Sequence, residues 1–210
     1  MFKDLELKNK IVLEGMCGSG QTTNYLLSKE VNLIGNDISD IAIERFKKRW
    51  PGCNVLCSSI LNTGLENESV DCVVIVGGLH HLHPYLNNAI DEIYRILKIG
   101  GYFCFGEPHA GSLPDFIRKI WYKKDAYFEN GEEAIELDIL KENNSSRFEF
   151  KIEKYIGDVA YLFVLNSMIF RMPLKLKKIL SPFLIFFEHL TNPFHGKKFS
   201  CFVVSQWRKK

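Results

Sequence analysis

A glycine loop, one acid and three histidines are the residues of this chain whose types and spacing could do chemistry. The loop, Cys17-Gly18-Ser19-Gly20, stands directly behind the apolar run Ile11–Leu13 and Glu14. Glycines let a backbone bend sharply with no Cβ in the way, and the free amides at the start of the next helix can face a polar ligand. Asp37 falls about where a nucleotide-binding acid must stand to accept hydrogen bonds from both ribose hydroxyls, and a carboxylate suits that task because it only accepts. Two plainer readings stay open. The loop could be a simple strand-to-helix turn, and Asp37 could cap the helix behind it, although Ser39 or Asp40 could supply that cap instead. A dinucleotide site would want a third small residue after Gly18 and Gly20; Thr23 stands there and argues against NAD. His80, His81 and His109 follow the fourth and fifth strand-like runs, where an imidazole could take a proton from a hydroxyl acceptor. The pair His80-His81, followed by Leu82 and Pro84, reads equally as a loop-packing or helix-capping feature.

The elements that must position these residues alternate. Ile11–Leu13 predicts a strand and Gln21–Lys29 a helix. Val31–Asn36 predicts a second strand ending at Asp37, with Ser39 capping a helix that runs to about Trp50 and stops at Pro51-Gly52. A third strand follows near Asn54–Cys57. Asp71–Val76 is almost continuously β-branched, the pattern of a strand buried on both faces of a parallel sheet, and Gly77-Gly78 ends it. Pro84 opens a helix carrying Ile90, Ile93 and Leu97, which Gly100-Gly101 closes before the strand Tyr102–Gly106. Strands alternating with helices imply an α/β fold with an open, mostly parallel sheet and helices on both faces. The second half differs: helix and loop over Leu113–Asn144, a strand over Arg147–Tyr155, apolar helices over Val159–Phe170 and Leu174–Leu190, and a final strand over Phe199–Trp207. The last two strands are expected at one edge of the sheet.

The chain has 210 residues, 46% of them hydrophobic, enough for one good core. A net charge of +2 gives no nucleic-acid footprint and fits a small or neutral partner. The basic runs Phe46–Arg49 and Arg208–Lys210 read as solvated surface. Cys17, Cys53, Cys57, Cys72, Cys104 and Cys201 lie mostly in apolar, strand-like stretches and read as small core residues in a reducing compartment. Cys53 and Cys57 have no second pair at zinc spacing, so no metal is expected. Met1–Lys10 is polar and charged, unlike a secretory signal, and a cytoplasmic protein is expected.

The motifs taken in order resemble the class I S-adenosylmethionine-dependent methyltransferases, in the subgroup of small-molecule and ubiquinone-type enzymes. They are Val12-Leu13-Glu14 with Cys17-Gly18-Ser19-Gly20, Gly35-Asn36-Asp37-Ile38-Ser39, Glu68-Ser69-Val70-Asp71, Leu79-His80-His81-Leu82, and Arg95-Ile96-Leu97-Lys98 with Gly100-Gly101. Each is common alone; the ordered set is specific, and it covers roughly residues 10–108. The resemblance implies a Rossmann-like, seven-stranded sheet with its last strand antiparallel and a helical cap inserted in the C-terminal half. It implies one domain over 1–210: a cofactor core over 10–108, acceptor-side elements over 109–197 and a final strand over 198–208.

It also implies that S-adenosylmethionine is the cofactor and S-adenosylhomocysteine its product. Glu14, Gly15, Met16 and the backbone of Cys17, Gly18 and Gly20 would hold the methionine part, Asp37 the ribose, and Ile38 the adenine. Ser59-Ile60 falls where many relatives have an acid and an apolar residue against the adenine, and Gly77 and Gly78 would border the sulfonium. Met16 stands in place of the usual first loop glycine, so the loop is expected to take a slightly different path. Methyl transfer is an in-line displacement, for which a protein aligns donor and acceptor and excludes water. Residues after the fourth strand lack the Pro-Pro-aromatic and Pro-Cys signatures of DNA-base methylation, which argues against DNA as partner. A catalytically silent S-adenosylmethionine-binding regulator is the alternative reading, with an NAD enzyme behind it.

The second half is rich in aromatics: Trp121, Tyr122, Tyr127, Phe128, Tyr161, Phe163, Phe170, Phe183, Phe186, Phe187 and Phe194. Such residues could roof the site, with Glu107-Pro108 shaping a pocket for a sugar-like, lipid-linked or hydrophobic small-molecule acceptor. Lys175, Lys177 and Lys178 beside Leu174, Leu176 and Ile179 also permit a helix lying on a membrane surface, and a homodimer face is the third reading.

Overall fold

The computed structural model describes residues 1–122, 133–157, 173–191 and 196–210. Seven strands form one sheet: β1 Ile11–Gly15, β2 Asn32–Asp37, β3 Asn54–Cys57, β4 Val70–Val76, β5 Leu97–Pro108, β6 Phe148–Ile156 and β7 Phe202–Lys209. Their order is β3-β2-β1-β4-β5-β7-β6. The pairs among β1 to β5 are parallel, while β7 runs antiparallel to both β5 and β6. This is the mostly parallel sheet expected, with both late strands at one edge. The order reverses between β1 and β4, which opens a crevice outside their carboxyl ends.

Alternation along the buried strands sends neighbouring residues to opposite faces. Val12, Cys72, Val74 and Cys104 join Leu26 of α1 (Thr23–Leu27) and Phe46 of α2 (Asp40–Arg49) on one face. Leu13, Val73, Ile75, Phe103 and Phe105 join Ile90 and Ile93 of α3 (Leu86–Ile96) and Leu140 of α5 (Leu137–Asn144) on the other. Trp207 closes this second layer edge-on to Phe105 and Phe150. Cys17, Cys72, Cys104 and Cys201 are buried as small core residues, whereas Cys57 is exposed.

Several details differ from expectation. The helix α1 is shorter, because Glu30 turns into the left-handed region (φ +56°) and the Ser28 hydroxyl bonds to the Tyr25 carbonyl. Gly100-Gly101 does not close α3: that helix ends at Ile96, and β5 starts at Leu97, paired with Val70. The ladder then slips between Val70 and Cys72, and the glycines make the bulge. Gly100 has φ +76°, and a Cβ on Gly101 would lie 2.9 Å from the Asp71 carbonyl. Arg208–Lys210 is not all solvated surface. Lys209 is 5% exposed; its ammonium donates to the carbonyls of Tyr94 and Leu97, at 2.9 and 2.7 Å, and so satisfies the end of α3.

Beyond β5, α4 covers Leu113–Tyr122 and α6 covers Leu174–Thr191. The helix expected over Val159–Phe170 lies outside the described residues, as do Tyr127, Phe128, Tyr161, Phe163, Phe170 and Phe194, and the side chains of Trp121 and Tyr122. No helix among the described residues is long and apolar enough to cross a membrane.

Candidate active site

The carboxyl ends of β1, β2 and β4 bring the predicted loop, acid and glycine pair to one edge. Asp37 ends β2, and its two carboxylate oxygens accept from the amides of Gly18, at 2.8 Å, and Ser39, at 2.9 Å. The helix cap is Ser39, whose hydroxyl accepts from the Ala42 amide at 3.3 Å. The capping reading of Asp37 is thereby removed, and its carboxylate instead ties the glycine loop to the second strand. A carboxylate offers about four lone-pair positions, so two remain for an outside donor. Ile38, next in sequence, is 74% exposed, an apolar side chain left bare beside the Asp37 carboxylate.

The loop is open where a ligand would approach. Gly18 (φ +54°) and Gly77 (φ +67°), after β1 and β4, both have nothing within 4 Å of where a Cβ would stand. Gly20 plays another part: a Cβ there would lie 2.5 Å from the Trp50 ring nitrogen and 2.6 Å from the Thr23 hydroxyl, so it lets the loop pack down on its own helices.

Met16 stands in the left-handed region that favours glycine, with φ +52°, at a cost of roughly 1 kcal/mol or more of strain. The thioether crosses the crevice to Gly78, where a Cβ would meet the Met16 sulfur at 2.8 Å. The cleft lined by Glu14, Gly15, Met16, Cys17, Gln21, Thr22 and Val76 holds only about 10 Å³.

Glu14 is buried and already engaged. It accepts from the Thr22 amide at 2.9 Å, the Thr22 hydroxyl at 2.7 Å and the Thr23 hydroxyl at 2.5 Å. It therefore fastens the start of α1, with one lone-pair position to spare. Cys17 is buried, and burial, together with the Glu14 and Asp37 carboxylates, pushes its thiol up to about 12. It stays a neutral thiol and no nucleophile. Ser59 is half-buried, its hydroxyl accepting from the Leu61 amide at 3.2 Å. Ile60 is 3% exposed and packs in the core under Gly15, so its side chain supports the floor rather than facing a base.

The histidines separate by their surroundings. Glu107, at the end of β5 and fully buried, accepts through Oε1 from the amides of Gly78, at 2.8 Å, and Leu79, at 2.9 Å. Its Oε2 lies 2.8 Å from Nδ1 of His80, in the 3-10 turn Leu79–His81. This contact fixes the proton of a neutral His80 on Nδ1 and leaves Nε2 as the acceptor. His81 is exposed and rests its ring 3.9 Å from that of His80. His109 is corrected to a structural role. It is 2% exposed, and its ring nitrogens face the carbonyls of Ala110, at 3.0 Å, and Ser200, at 2.8 Å. Neither nitrogen can reach an acceptor's proton.

Sequence reasoning gave Glu107 only a pocket-shaping part and missed Asn36, Ser58 and Glu92. Asn36 donates to the Ser58 carbonyl at 2.9 Å and hydroxyl at 3.0 Å, joining the ends of β2 and β3. Glu92 accepts from the Thr63 amide, at 2.8 Å, and from Arg95, at 2.7 and 2.8 Å, and so pins the segment after β3 to α3. An acid immediately after an apolar strand was the available signal for Glu107. Asn36 and Ser58 meet across two strands, and Glu92 reaches Thr63 from a distant part of the chain; the spacing of Glu92 and Arg95 was the local signal for that clamp.

Residues 13–105 match the methyltransferase domain family. The phthiotriol/phenolphthiotriol dimycocerosates methyltransferase of Mycobacterium tuberculosis is 31% identical over 121 residues, which is 56% of this chain and 43% of that protein. An uncharacterized methyltransferase of Synechocystis is 29% identical over 118 residues, 53% of this chain and 56% of the relative. The chain thus spans about half the length of these relatives. The fold is shared with a SAM-dependent methyltransferase from Archaeoglobus fulgidus, at TM-score 0.62, 18% identity and coverage of 96% and 86% of the two chains. It is shared also with a TehB-like SAM-dependent methyltransferase from Corynebacterium glutamicum, at TM-score 0.59, 18% identity and coverage of 97% and 82%.

Proposed function

We propose that this chain, whose residues 13–105 match a methyltransferase domain, moves a methyl group from S-adenosylmethionine to a hydroxyl on a small, largely apolar acceptor, with His80 as general base. The observation that carries the reading is the buried contact of Glu107 with His80 on the same edge as Asp37 and the open Gly18 and Gly77.

The residues at the edge fit the cofactor. Asp37 would accept from the ribose hydroxyls, Ile38 would pack on the adenine, and the loop from Gly15 to Gly18 would run beside the methionine part, with Gly77 and Gly78 across from it. S-adenosylmethionine supplies the methyl group as an electrophile on a sulfonium. The chain's own work is alignment and proton transfer. Glu107 holds the His80 ring and its tautomer, and through the Gly78 and Leu79 amides it holds the backbone beside it. Nε2 of His80 takes the proton of the attacking hydroxyl, and the imidazolium that forms is stabilised by the buried carboxylate. The tuberculosis relative is named for a triol acceptor, which supports oxygen as the methylated atom.

The test is S-adenosylhomocysteine formation against a panel of apolar alcohols and amines, with His80→Gln beside the parent. Turnover with an alcohol that drops by about 10²–10⁴ in the variant, with cofactor affinity kept, supports the reading. Cofactor binding with no turnover on any acceptor favours the silent regulator.

A further inference from the structure

The helix α6 is built inside out. Not one residue of Leu174–Thr191 is buried. The side that leans toward the protein carries Lys177, Ser181, Glu188 and Thr191 with Leu180 and Leu184, all only half-buried. The opposite side, at the three- and four-residue spacing of one helix face, presents Ile179 at 64%, Phe183 at 72%, Phe186 at 71% and Leu190 at 63% exposed. A helix on a water-facing surface normally does the reverse. Two lysines, Lys175 and Lys178, flank this apolar face and are exposed, whereas the helix's only acid, Glu188, turns toward the protein.

We propose that α6 seats this protein on an anionic lipid surface. Phe183 and Phe186 enter the boundary between headgroups and acyl chains, and Lys175 and Lys178 lie at the level of the phosphates. The chemistry selects this occupant in two steps. The outward face is apolar and aromatic over several turns, which favours transfer into a lipid interface. Its flank carries positive charge and the helix itself has no exposed acid, which complements anionic headgroups and gives the same face of a second copy's α6 no opposite charge to pair with. The proposal is independent of the methyl-transfer reading, since it concerns where the protein sits. The two fail separately.

The experiment is co-sedimentation of the full chain with phosphatidylglycerol-containing vesicles and with pure phosphatidylcholine vesicles. It uses the parent, the double variant Phe183→Asp with Phe186→Asp, and the double variant Lys175→Glu with Lys178→Glu. Calorimetry with S-adenosylhomocysteine on each protein reports on the cofactor edge, which none of these positions touches. The expected result is binding to anionic vesicles about tenfold or more tighter than to neutral ones, lost by about tenfold in either variant. Parent protein that stays in the supernatant with both vesicle types overturns the proposal. So does vesicle binding unaffected by the phenylalanine variant. A concentration-dependent dimer in sedimentation velocity that this variant abolishes also overturns it, by giving the face to a second copy of the chain.

Discussion

Nδ1 of His80 stands 2.8 Å from Oε2 of Glu107, a carboxylate whose other oxygen is committed to two backbone amides and which is fully buried. The acid thus orients the imidazole, the base of the proposed reaction, and braces the turn that carries it. Glu107→Gln can keep the backbone contacts but presents an amide donor to Nδ1, which moves the ring proton to Nε2 and removes the base. Turnover is expected to fall by about 10²–10⁴, as for a misoriented His in a hydrolytic triad, with cofactor affinity unchanged. Glu107→Ala should in addition lower stability by about 1–3 kcal/mol for each orphaned amide, read by urea unfolding.

Met16 supplies the second prediction, because a long side chain in a left-handed backbone both strains the loop and narrows the cleft. Met16→Gly removes the strain and frees the space beside Gly78. Cofactor affinity should rise while stability stays within about 1 kcal/mol of the parent. Met16→Val puts a β-branched residue at positive φ and should lose about 1–2 kcal/mol. Equal stability of the two variants would contradict the strain.

The third prediction concerns pH. Burial raises the pKa of Glu92, but the hydrogen bonds from Arg95 and Thr63 outweigh it and hold the carboxyl at about 2. A folded pKa below the unfolded one means that the contribution is complete above the unfolded value, 4.5, and is lost as pH falls toward about 2. The loss should be on the order of 2 kcal/mol, and Glu92→Gln should flatten that part of the stability profile. A parent and variant with parallel profiles would show that the clamp carries no such linkage.

The strands β1 to β5, the Ser39 cap and the Asp37 position were legible because each rests on a local pattern: apolar runs, a capping hydroxyl, an acid at a strand end. Gly100-Gly101 was misread because a glycine pair after a helix looks the same whether it ends the helix or bulges a strand. The difference lies in the pairing of Val70 with Leu97, which is non-local. His109 and Lys209 were misread for a related reason. Their partners, Ser200 for the histidine and Tyr94 and Leu97 for the lysine, come from distant parts of the chain. The outward face of α6 was open to three readings, because an apolar pattern shows that a face wants cover but not which neighbour is absent.

The central claim, that the edge built by Gly18, Asp37 and Gly77 holds S-adenosylmethionine, is tested most directly by calorimetric titration of S-adenosylhomocysteine into the parent and into Asp37→Ala. One site is predicted, weakened about tenfold or more in the variant, because the ribose hydroxyls lose a charged acceptor and the Gly18 amide its tie. Equal affinity in the two proteins, or no binding to a folded parent, would contradict the account.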